Sequence, residues 1–309
     1  MATVAQPARP GKSPQLQATR RAQVAWTAAL FLLPTILGLV LFQFGPLLVA
    51  VRNSLYRVSL LNPDAAQFVG ASNYLRLIED ETFWIALLNT VLYMVGKLVV
   101  QIPLGLGASL LVNQKLRGIV ILRSALFAPV VTSGAVIAVI WNLMYYPENG
   151  LFNAILNAVG IPSQPFLTSP TQALASIVIM GVWMDLGFTM LLYLGGLQGI
   201  SETYYEAAAI DGASPRQQFW AITLPLLRRT TMLAIFMGTI VSFRVFTPIY
   251  VMTQGGPQDS TINSVYFMYL QAFKFMSLGY ASAVAVVVIV VLAAITFVQS
   301  RLLSTDLEY

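Results

Sequence analysis

The sequence predicts an all-α membrane protein with six transmembrane helices and with both termini in the cytoplasm. Three observations carry this prediction: a composition too apolar for a soluble domain, six windows of membrane-spanning length, and an uneven distribution of Lys and Arg among the connecting segments. Of the 309 residues, 57% are hydrophobic and 9% are charged, whereas soluble domains carry about 25% charged residues. Lipid is therefore expected to be the main solvent of this chain.

Six windows are long enough to cross a membrane, because a transmembrane helix needs about 20 predominantly apolar residues. In chain order they are 26–52, 83–112, 124–145, 171–195, 230–252 and 278–300. The first window follows Arg20 and Arg21 as the core of a secretory signal would, but it is longer than the roughly 7–15 apolar residues of a signal. We interpret it as a retained helix.

The positions of Lys and Arg set the predicted orientation, since cytoplasmic loops carry an excess of both. With the N-terminus inside, the inner segments collect Arg9, Lys12, Arg20, Arg21, Lys115, Arg117, Arg123, Arg216, Arg228, Arg229 and Arg301. The outer loops hold only Arg52, Arg57, Arg76 and Lys274. Both termini are therefore predicted to be cytoplasmic, and the net charge of +5 reflects this topology. Nucleic-acid binding is not needed to explain it.

The predicted organisation is a single domain with short tails. Residues 1–22 form a cytoplasmic tail, 23–305 form the six-helix domain, and 306–309 form a second cytoplasmic tail. Within the first tail, residues 14–25 are expected to form a short helix on the inner face of the membrane. In the last outer loop, Gly255-Gly256-Pro257 predicts a tight turn.

The residue types that are missing argue against an enzyme. The chain contains no Cys, which excludes disulfides and thiol chemistry, and no His, the commonest general base and a frequent metal ligand. We therefore predict no catalytic residues, no metal site and no cofactor.

Three charged residues fall inside the apolar windows: Lys97, Asp185 and Arg244. A charge at the bilayer centre is costly, about 2.5–3.5 kcal/mol on insertion scales, so such residues usually face the interior of a helix bundle or a polar path. Asp185 and Arg244 can either pair with each other or line a translocation path, and the sequence leaves both interpretations open. It also leaves the partner of Lys97 open. Gly195 and Gly199 fit the small-residue spacing of packed membrane helices.

The inner loop 201–227 has strong start and stop signals for two short helices. Ser201 and Glu202 predict the start of the first helix, and Asp211-Gly212 predicts its end, because glycine readily adopts the left-handed conformation of a helix stop. Ser214, Pro215 and Gln217 predict the start of a second helix with a capping box.

The second helix is predicted to end at Leu224-Pro225, just before the fifth window. Phe219 and Trp220 are placed to insert into a pocket or into the membrane face. A connection between two spans needs only a few residues, whereas this one has a defined helix–turn–helix shape. We therefore interpret it as a docking element.

The stretch EAAAIDGASPRQQFWAITLP resembles the EAA loop in permease subunits of binding-protein-dependent ATP-binding-cassette (ABC) importers of bacteria. The matching residues are Glu206, Ala207, Ala208, Gly212, Ile222, Leu224 and Pro225. FVGASNYLRLIEDETFWIALLNT and YVMTQGGPQDST resemble carbohydrate-type members, in particular the first permease of the maltose, trehalose and glycerol-3-phosphate systems. The resemblance covers residues 20–305.

The resemblance implies a type I ABC importer permease fold in a bacterial or archaeal cytoplasmic membrane. It implies as partners a second permease subunit, two copies of a cytoplasmic ATPase and an extracytoplasmic solute-binding protein. The contact with the ATPase falls on Glu206, Ala207, Ala208, Asp211 and Gly212: the glutamate contacts a basic group of the ATPase, and the glycine makes the turn. Solute contacts in maltose-type members come from the spans on either side of the loop, and the matching positions here are Asp185, Phe188, Gly238 and Ser242.

The predicted function is to form half of an ATP-driven import path for a sugar or sugar-like solute, with the ATPase on a partner chain. Arg244 is compatible with an anionic solute such as glycerol 3-phosphate or a phosphodiester, and equally with a neutral sugar if it pairs with Asp185. The alternative is a self-sufficient secondary carrier or channel, which explains the spans and their charges but leaves the EAA loop unexplained.

Overall fold

The computed structural model describes residues 14–114 and 117–303, which form two compact units divided between Arg52 and Asn53. The predicted tail residues 1–13 and 306–309 lie outside this description. The α-helices of the described residues are, in chain order, α1 (Pro14–Leu39), α2 (Gly45–Ser54), α3 (Ser72–Glu79), α4 (Glu81–Val112), α5 (Ile119–Val131), α6 (Gly134–Met144), α7 (Leu151–Ala158), α8 (Ala173–Gln198), α9 (Glu202–Ile210), α10 (Pro215–Gln218), α11 (Leu224–Leu226), α12 (Arg228–Phe243), α13 (Thr247–Met252), α14 (Ser264–Tyr269) and α15 (Leu278–Leu303).

The first window is part of a longer helix than predicted. The short helix expected over 14–25 is not separate, because α1 begins at Pro14 and runs into the first span without a break. A π-helical turn (Val40–Phe44) joins α1 to α2. This turn ends two residues before Pro46, which lacks the N–H that an α-helix would use there. Local π adjustment lets a membrane helix continue past such a proline.

The described residues contain four single helices that are long and apolar enough to cross a membrane. Two bent helix pairs raise the number to six when each pair is counted as one span. The prediction of an all-α protein with six spans is thus confirmed, but two windows are not the simple helices that hydropathy suggested.

The third window, 124–145, is broken in the middle. It contains parts of α5 and α6, whose axes differ by 101° across Thr132 and Ser133. Thr132 has an extended backbone, with φ −88° and ψ 147°. Pro129 weakens the last turn of α5 because it removes one backbone donor and crowds the preceding turn.

The fifth window, 230–252, is also broken. It covers most of α12 and all of α13, separated by the non-helical residues 244–246. Pro248 is the second residue of α13, and a proline disfavours helical geometry in the residue before it. On its other side, α12 follows the segment Pro215–Leu226 at an angle of 59°.

The core of the second unit is the packing of α4 along α8, with α5 and α12 against them. Three glycines allow close approach at positions where a side chain would collide with the neighbouring element. The contacts are Gly181 with the Tyr93 hydroxyl, Gly187 with the backbone of Leu126, and Gly105 with the Thr189 side chain. The predicted packing role of Gly195 and Gly199 is wrong for the described residues: nothing lies within 4 Å of a Cβ at Gly195, while Gly196 contacts Thr230 and Leu227.

A β-hairpin in the first predicted outer loop was not expected. Strands β1 (Tyr56–Ser59) and β2 (Asn62–Phe68) pair antiparallel, and the rings of Tyr56 and Phe68 lie 5.3 Å apart. The hairpin is tied to the chain before α15, since the Leu60 N–H donates to Met276 O at 3.0 Å.

The turn predicted at Gly255-Gly256-Pro257 is present, with Gly255 at φ +86°. It is fastened to α4 by the amide of Asn89, whose Nδ2 donates to Asp259 O at 2.9 Å and to Ile262 O at 3.0 Å. The last predicted outer loop is therefore part of the packed unit.

Gly187→Ala is expected to destabilise the protein by about 1–3 kcal/mol, the usual effect of overpacking. The added methyl group would collide with the Leu126 carbonyl oxygen and the Phe127 Cα, so α5 and α8 would have to separate. The matched control is Gly195→Ala, which adds the same group to the same helix in open space. Thermal unfolding of the detergent-purified protein measures the difference, and equal midpoints for the two variants would contradict the packing argument.

Candidate functional site

The loop 201–227 forms the predicted helix–turn–helix. Helix α9 begins after Ser201, whose Oγ accepts a hydrogen bond from the Thr203 N–H at 3.4 Å, and Glu202 lies in its first turn. The start signals identified in the sequence are confirmed.

The turn after α9 has the hydrogen bonds of a Schellman motif. The Gly212 N–H donates to Ala209 O at 3.1 Å, and the Ala213 N–H donates to Ala208 O at 2.8 Å. Both bonds require a left-handed residue between them, and Gly212 supplies it with φ +81°. The end of α9 is therefore determined by this glycine.

Helix α10 begins with the predicted capping box. The Ser214 Oγ accepts from the Gln217 N–H at 3.4 Å, and the Gln217 Oε1 accepts from the Ser214 N–H at 2.8 Å. Pro215 occupies the first helical position, where its missing N–H costs nothing. The two short helices are thus both stabilised by local hydrogen bonds.

The predicted break at Leu224-Pro225 is wrong. Helical structure continues from α10 through a π-helical turn (Phe219–Thr223) into α11, and the bend lies at Leu227. As before Pro46, the π-helical turn ends two residues before the proline and accommodates its missing donor. The loop is therefore continuous with the segment that leads into α12.

The residues predicted to contact a partner lie on an accessible surface. Glu206, Ala207, Asp211 and Gly212 are exposed, and Ala208 is half-buried. The side chain of Ile210 is 86% exposed, which is unusual for a large apolar residue in an aqueous loop. The stretch from Glu206 to Asp211 thus has one carboxylate at each end and small or apolar residues between them.

The opposite side of the loop is attached to the bundle. The hydroxyl groups of Tyr205 and Thr223 share a hydrogen bond of 2.9 Å. A cavity of about 540 Å³ lies behind α9, and its lining includes Glu202, Tyr205 and Phe219. Of the two aromatic residues placed to insert into a pocket or into the membrane face, Phe219 is half-buried and lines this cavity, whereas Trp220 is 60% exposed.

A second cavity, of about 270 Å³, lies within the helix bundle beside the break after α12. Its lining includes Tyr93 and Lys97 from α4, Asp185 from α8, and Arg244 with Phe246 from the break. The three charged residues whose interactions the sequence left undecided, Lys97, Asp185 and Arg244, therefore line the same cavity.

Asp185 pairs with Lys97 and not with Arg244, the partner considered from the sequence. The Lys97 ammonium donates to Asp185 Oδ2 and forms a salt bridge with it. The Lys97 side chain is 2% exposed and that of Asp185 is 21% exposed, so the pair is buried at the cavity wall. Arg244 is exposed and has no ion pair or hydrogen bond from its side chain to the described residues.

The other predicted path residues lie elsewhere. Phe188 is 37% exposed on α8, outside the cavity lining. Gly238 and Ser242 are buried in α12, where Gly238 packs against the Leu98 side chain of α4. The Ser242 hydroxyl has no partner among the described residues. A place for these three on the path stays a prediction.

Sequence reasoning missed the polar row that accompanies the ion pair. Tyr93, Lys97 and Gln101 are spaced four residues apart on α4, and Asp185 and Thr189 have the same spacing on α8. The Gln101 Nε2 donates to Thr189 Oγ1 at 2.6 Å. Polar residues at i, i+4 and i+8 within an apolar helix share one face, so this spacing was a signal that the two helices meet there. The described residues contain no acidic cluster suited to a metal ion.

Comparison with known proteins identifies relatives over most of the chain. Residues 83–307 match the family model of the binding-protein-dependent transport system inner membrane component. The chain is 36% identical over 275 residues to the trehalose/maltose transport system permease protein MalF of Thermococcus litoralis, covering 88% of this chain and 92% of that protein. It is 35% identical over 283 residues to the probable ABC transporter permease protein YurN of Bacillus subtilis, covering 90% and 96%.

A solved structure shares the fold. One chain of a bacterial alginate ABC transporter, in complex with its alginate pentasaccharide-bound periplasmic protein, superposes with a TM-score of 0.79. The superposition covers 91% of this chain and 95% of that chain, at 21% sequence identity. At this level of identity the likeness concerns the fold alone.

Proposed function

Because the chain belongs to the family of binding-protein-dependent transport system inner membrane components, we propose a role for each of its two sites. The chain is a permease subunit of an ABC importer for sugar-like solutes, and the ATPase of such an importer is a separate subunit. We assign the loop 201–227 to contact with the ATPase, on the cytoplasmic side, and the cavity beside Asp185 to the solute path.

The observation that carries the first assignment is the combination of order and exposure in α9 and its turn. A loop that only connected two spans would need neither two capping arrangements nor a Schellman turn. Exposure of the apolar Ile210 would also bring such a loop no benefit. A docking helix needs both features, because its shape must exist before binding and its apolar surface must be available to the partner. Glu206 supplies the charge for a basic group on the ATPase.

The loop is also connected to the proposed path. Movement of α9 is transmitted through the Tyr205–Thr223 hydrogen bond to the π-helical turn and then through the buried Leu227 to α12. The far end of α12 carries Arg244 at the cavity. ATP binding can bias the path between two states only through contacts that differ between those states. The contact that differs in this proposal is the one between the ATPase and α9, and the connection carries its effect to α12.

The assembly we propose contains a second permease subunit, two ATPase copies and an extracytoplasmic solute-binding protein. The name of the MalF relative indicates trehalose and maltose as its solutes, and the alginate transporter structure contains a periplasmic protein with bound sugar. A sugar or sugar-like solute is the corresponding proposal for this chain.

Co-purification tests this assembly against the alternative of a self-sufficient carrier or channel. We expect the tagged chain, expressed with its candidate partners, to retain both an ATPase and a second permease through size-exclusion chromatography. Reconstituted into vesicles, the complex should import solute only with ATP and the binding protein. A chain that purifies alone and transports without ATP would overturn the proposal.

A further inference from the structure

We infer that the solute carried through this path has an oxyanion group and that the guanidinium of Arg244 binds it. The inference rests on the proposed path at the cavity beside Asp185, and it narrows the solute from sugar-like molecules in general to acidic ones. Three features of the cavity support it: its charge balance, the burial of Lys97, and the backbone break that holds Arg244.

The charge balance of the cavity leaves one cation uncompensated. Its charged lining residues are Lys97, Asp185 and Arg244. Asp185 is engaged by Lys97, so these two charges cancel. Arg244 is the remaining charge, and its side chain forms neither an ion pair nor a hydrogen bond with the residues in 14–114 and 117–303.

Asp185 cannot turn from Lys97 to Arg244 without a large penalty. The Lys97 side chain is 2% exposed, and the centroid of the Tyr93 ring lies 5.9 Å from its Nζ. Losing Asp185 would leave a buried ammonium group without a counter-charge, which is far less favourable than leaving an exposed guanidinium unpaired. The ion pair therefore keeps Arg244 available for the solute.

The backbone around Arg244 is built to hold it at the cavity. Helix α12 ends at Phe243, and the break is held by Asn263, which is 1% exposed. The Asn263 Nδ2 donates to Val245 O, while its Oδ1 accepts from the Tyr266 N–H at 2.8 Å. All three residues of the break, 244–246, line the cavity.

The chemistry of guanidinium selects the ligand class. Its planar fork of donors matches carboxylate and phosphate oxygens in bidentate geometry. Phe246, also in the cavity lining and stacked on Tyr250 at 5.3 Å between centroids, offers an apolar face beside it. A sugar or polyol that bears a carboxylate, phosphate or sulfonate satisfies both features.

Uptake assays with matched solutes test the inference. The permease pair, ATPase and binding protein are reconstituted in vesicles and offered three pairs: galactose with galacturonate, glucose with glucose 6-phosphate, and glycerol with glycerol 3-phosphate. We expect ATP-driven uptake of at least one acidic member and none of the neutral partners. ATP-driven uptake of a neutral member as fast as its acidic partner, or of none of the acidic members, overturns the inference. Either result leaves the proposed function intact, because the co-purification described above tests that function separately.

Variants of Arg244 test the assigned residue. We expect R244Q to lower uptake of the acidic solute by about tenfold or more, while R244K, which keeps the charge, retains a larger share. The matched control is R57Q, which removes an exposed cation of the β-hairpin and should leave uptake unchanged. Wild-type uptake by R244Q overturns the inference, and so does failure of R244Q to assemble, because Arg244 would then pair with another subunit.

Discussion

Replacing Gly212 with Val is expected to remove most of the solute-stimulated ATPase activity of the assembled importer while the helix bundle stays folded. The left-handed conformation of Gly212, at φ +81°, costs a residue with a side chain about 1–2 kcal/mol, and Val is β-branched. Relief of this strain breaks the Schellman hydrogen bonds and changes the angle between α9 and α10. The ATPase then meets a surface of the wrong shape.

ATPase activity in vesicles, with and without loaded binding protein, measures this effect, and we expect the stimulation to fall about tenfold. The matched control is Gly212→Asn, since Asn is the residue that best tolerates the left-handed conformation after Gly. Glu206→Ala removes the proposed charge contact without altering the turn and should also weaken coupling. Normal stimulation in both Gly212→Val and Glu206→Ala would rule out the docking role of this loop.

Replacing Lys97 with Met is expected to produce the largest loss of stability among single substitutions in the cavity. It leaves the Asp185 carboxylate at the cavity wall without its counter-charge. Removal of one partner of a buried pair typically costs about 3–5 kcal/mol. We expect the lower end of that range, because Asp185 is 21% exposed and can retain some solvent. Thermal unfolding in detergent measures the change.

The double variant Lys97→Met with Asp185→Asn separates charge from packing. Both charges are then absent, and replacing a buried pair by neutral residues is often close to neutral for stability. We therefore expect the double variant to recover most of the loss seen with Lys97→Met alone. If the single and double variants unfold at the same temperature, the ion pair is not the source of the effect.

The sequence identified charged residues of the proposed path but did not predict how they pair, and Asp185 illustrates the reason. A charged residue in an apolar window indicates that a partner is needed, but three such residues allow more than one pairing. Which two meet depends on the rotation of α4 against α8, and this is set by the contacts of Gly181 with Tyr93 and of Gly105 with Thr189. Those contacts join residues far apart in the chain.

The broken third and fifth windows illustrate a related limit. Hydropathy averages over a window and therefore cannot detect the extended Thr132 or the non-helical residues 244–246. The π-helical turns before Pro46 and Pro225 could not be predicted either, because the sequence rules treat proline as the end of a helix. At both prolines a local π-helical adjustment lets the helix continue despite the missing backbone donor.

Several features that depend on local chemistry were determined by the sequence itself: the all-α class, the number of spans, both caps of the loop 201–227 and the need for glycine at position 212. These follow from the composition and from interactions between residues a few positions apart. Only the tertiary structure decided that Asp185 pairs with Lys97, that Arg244 faces the cavity, and that Gly238 packs against Leu98. The physical reason is that a pairing between helices depends on their rotation and separation, which are settled by the packing of the whole bundle.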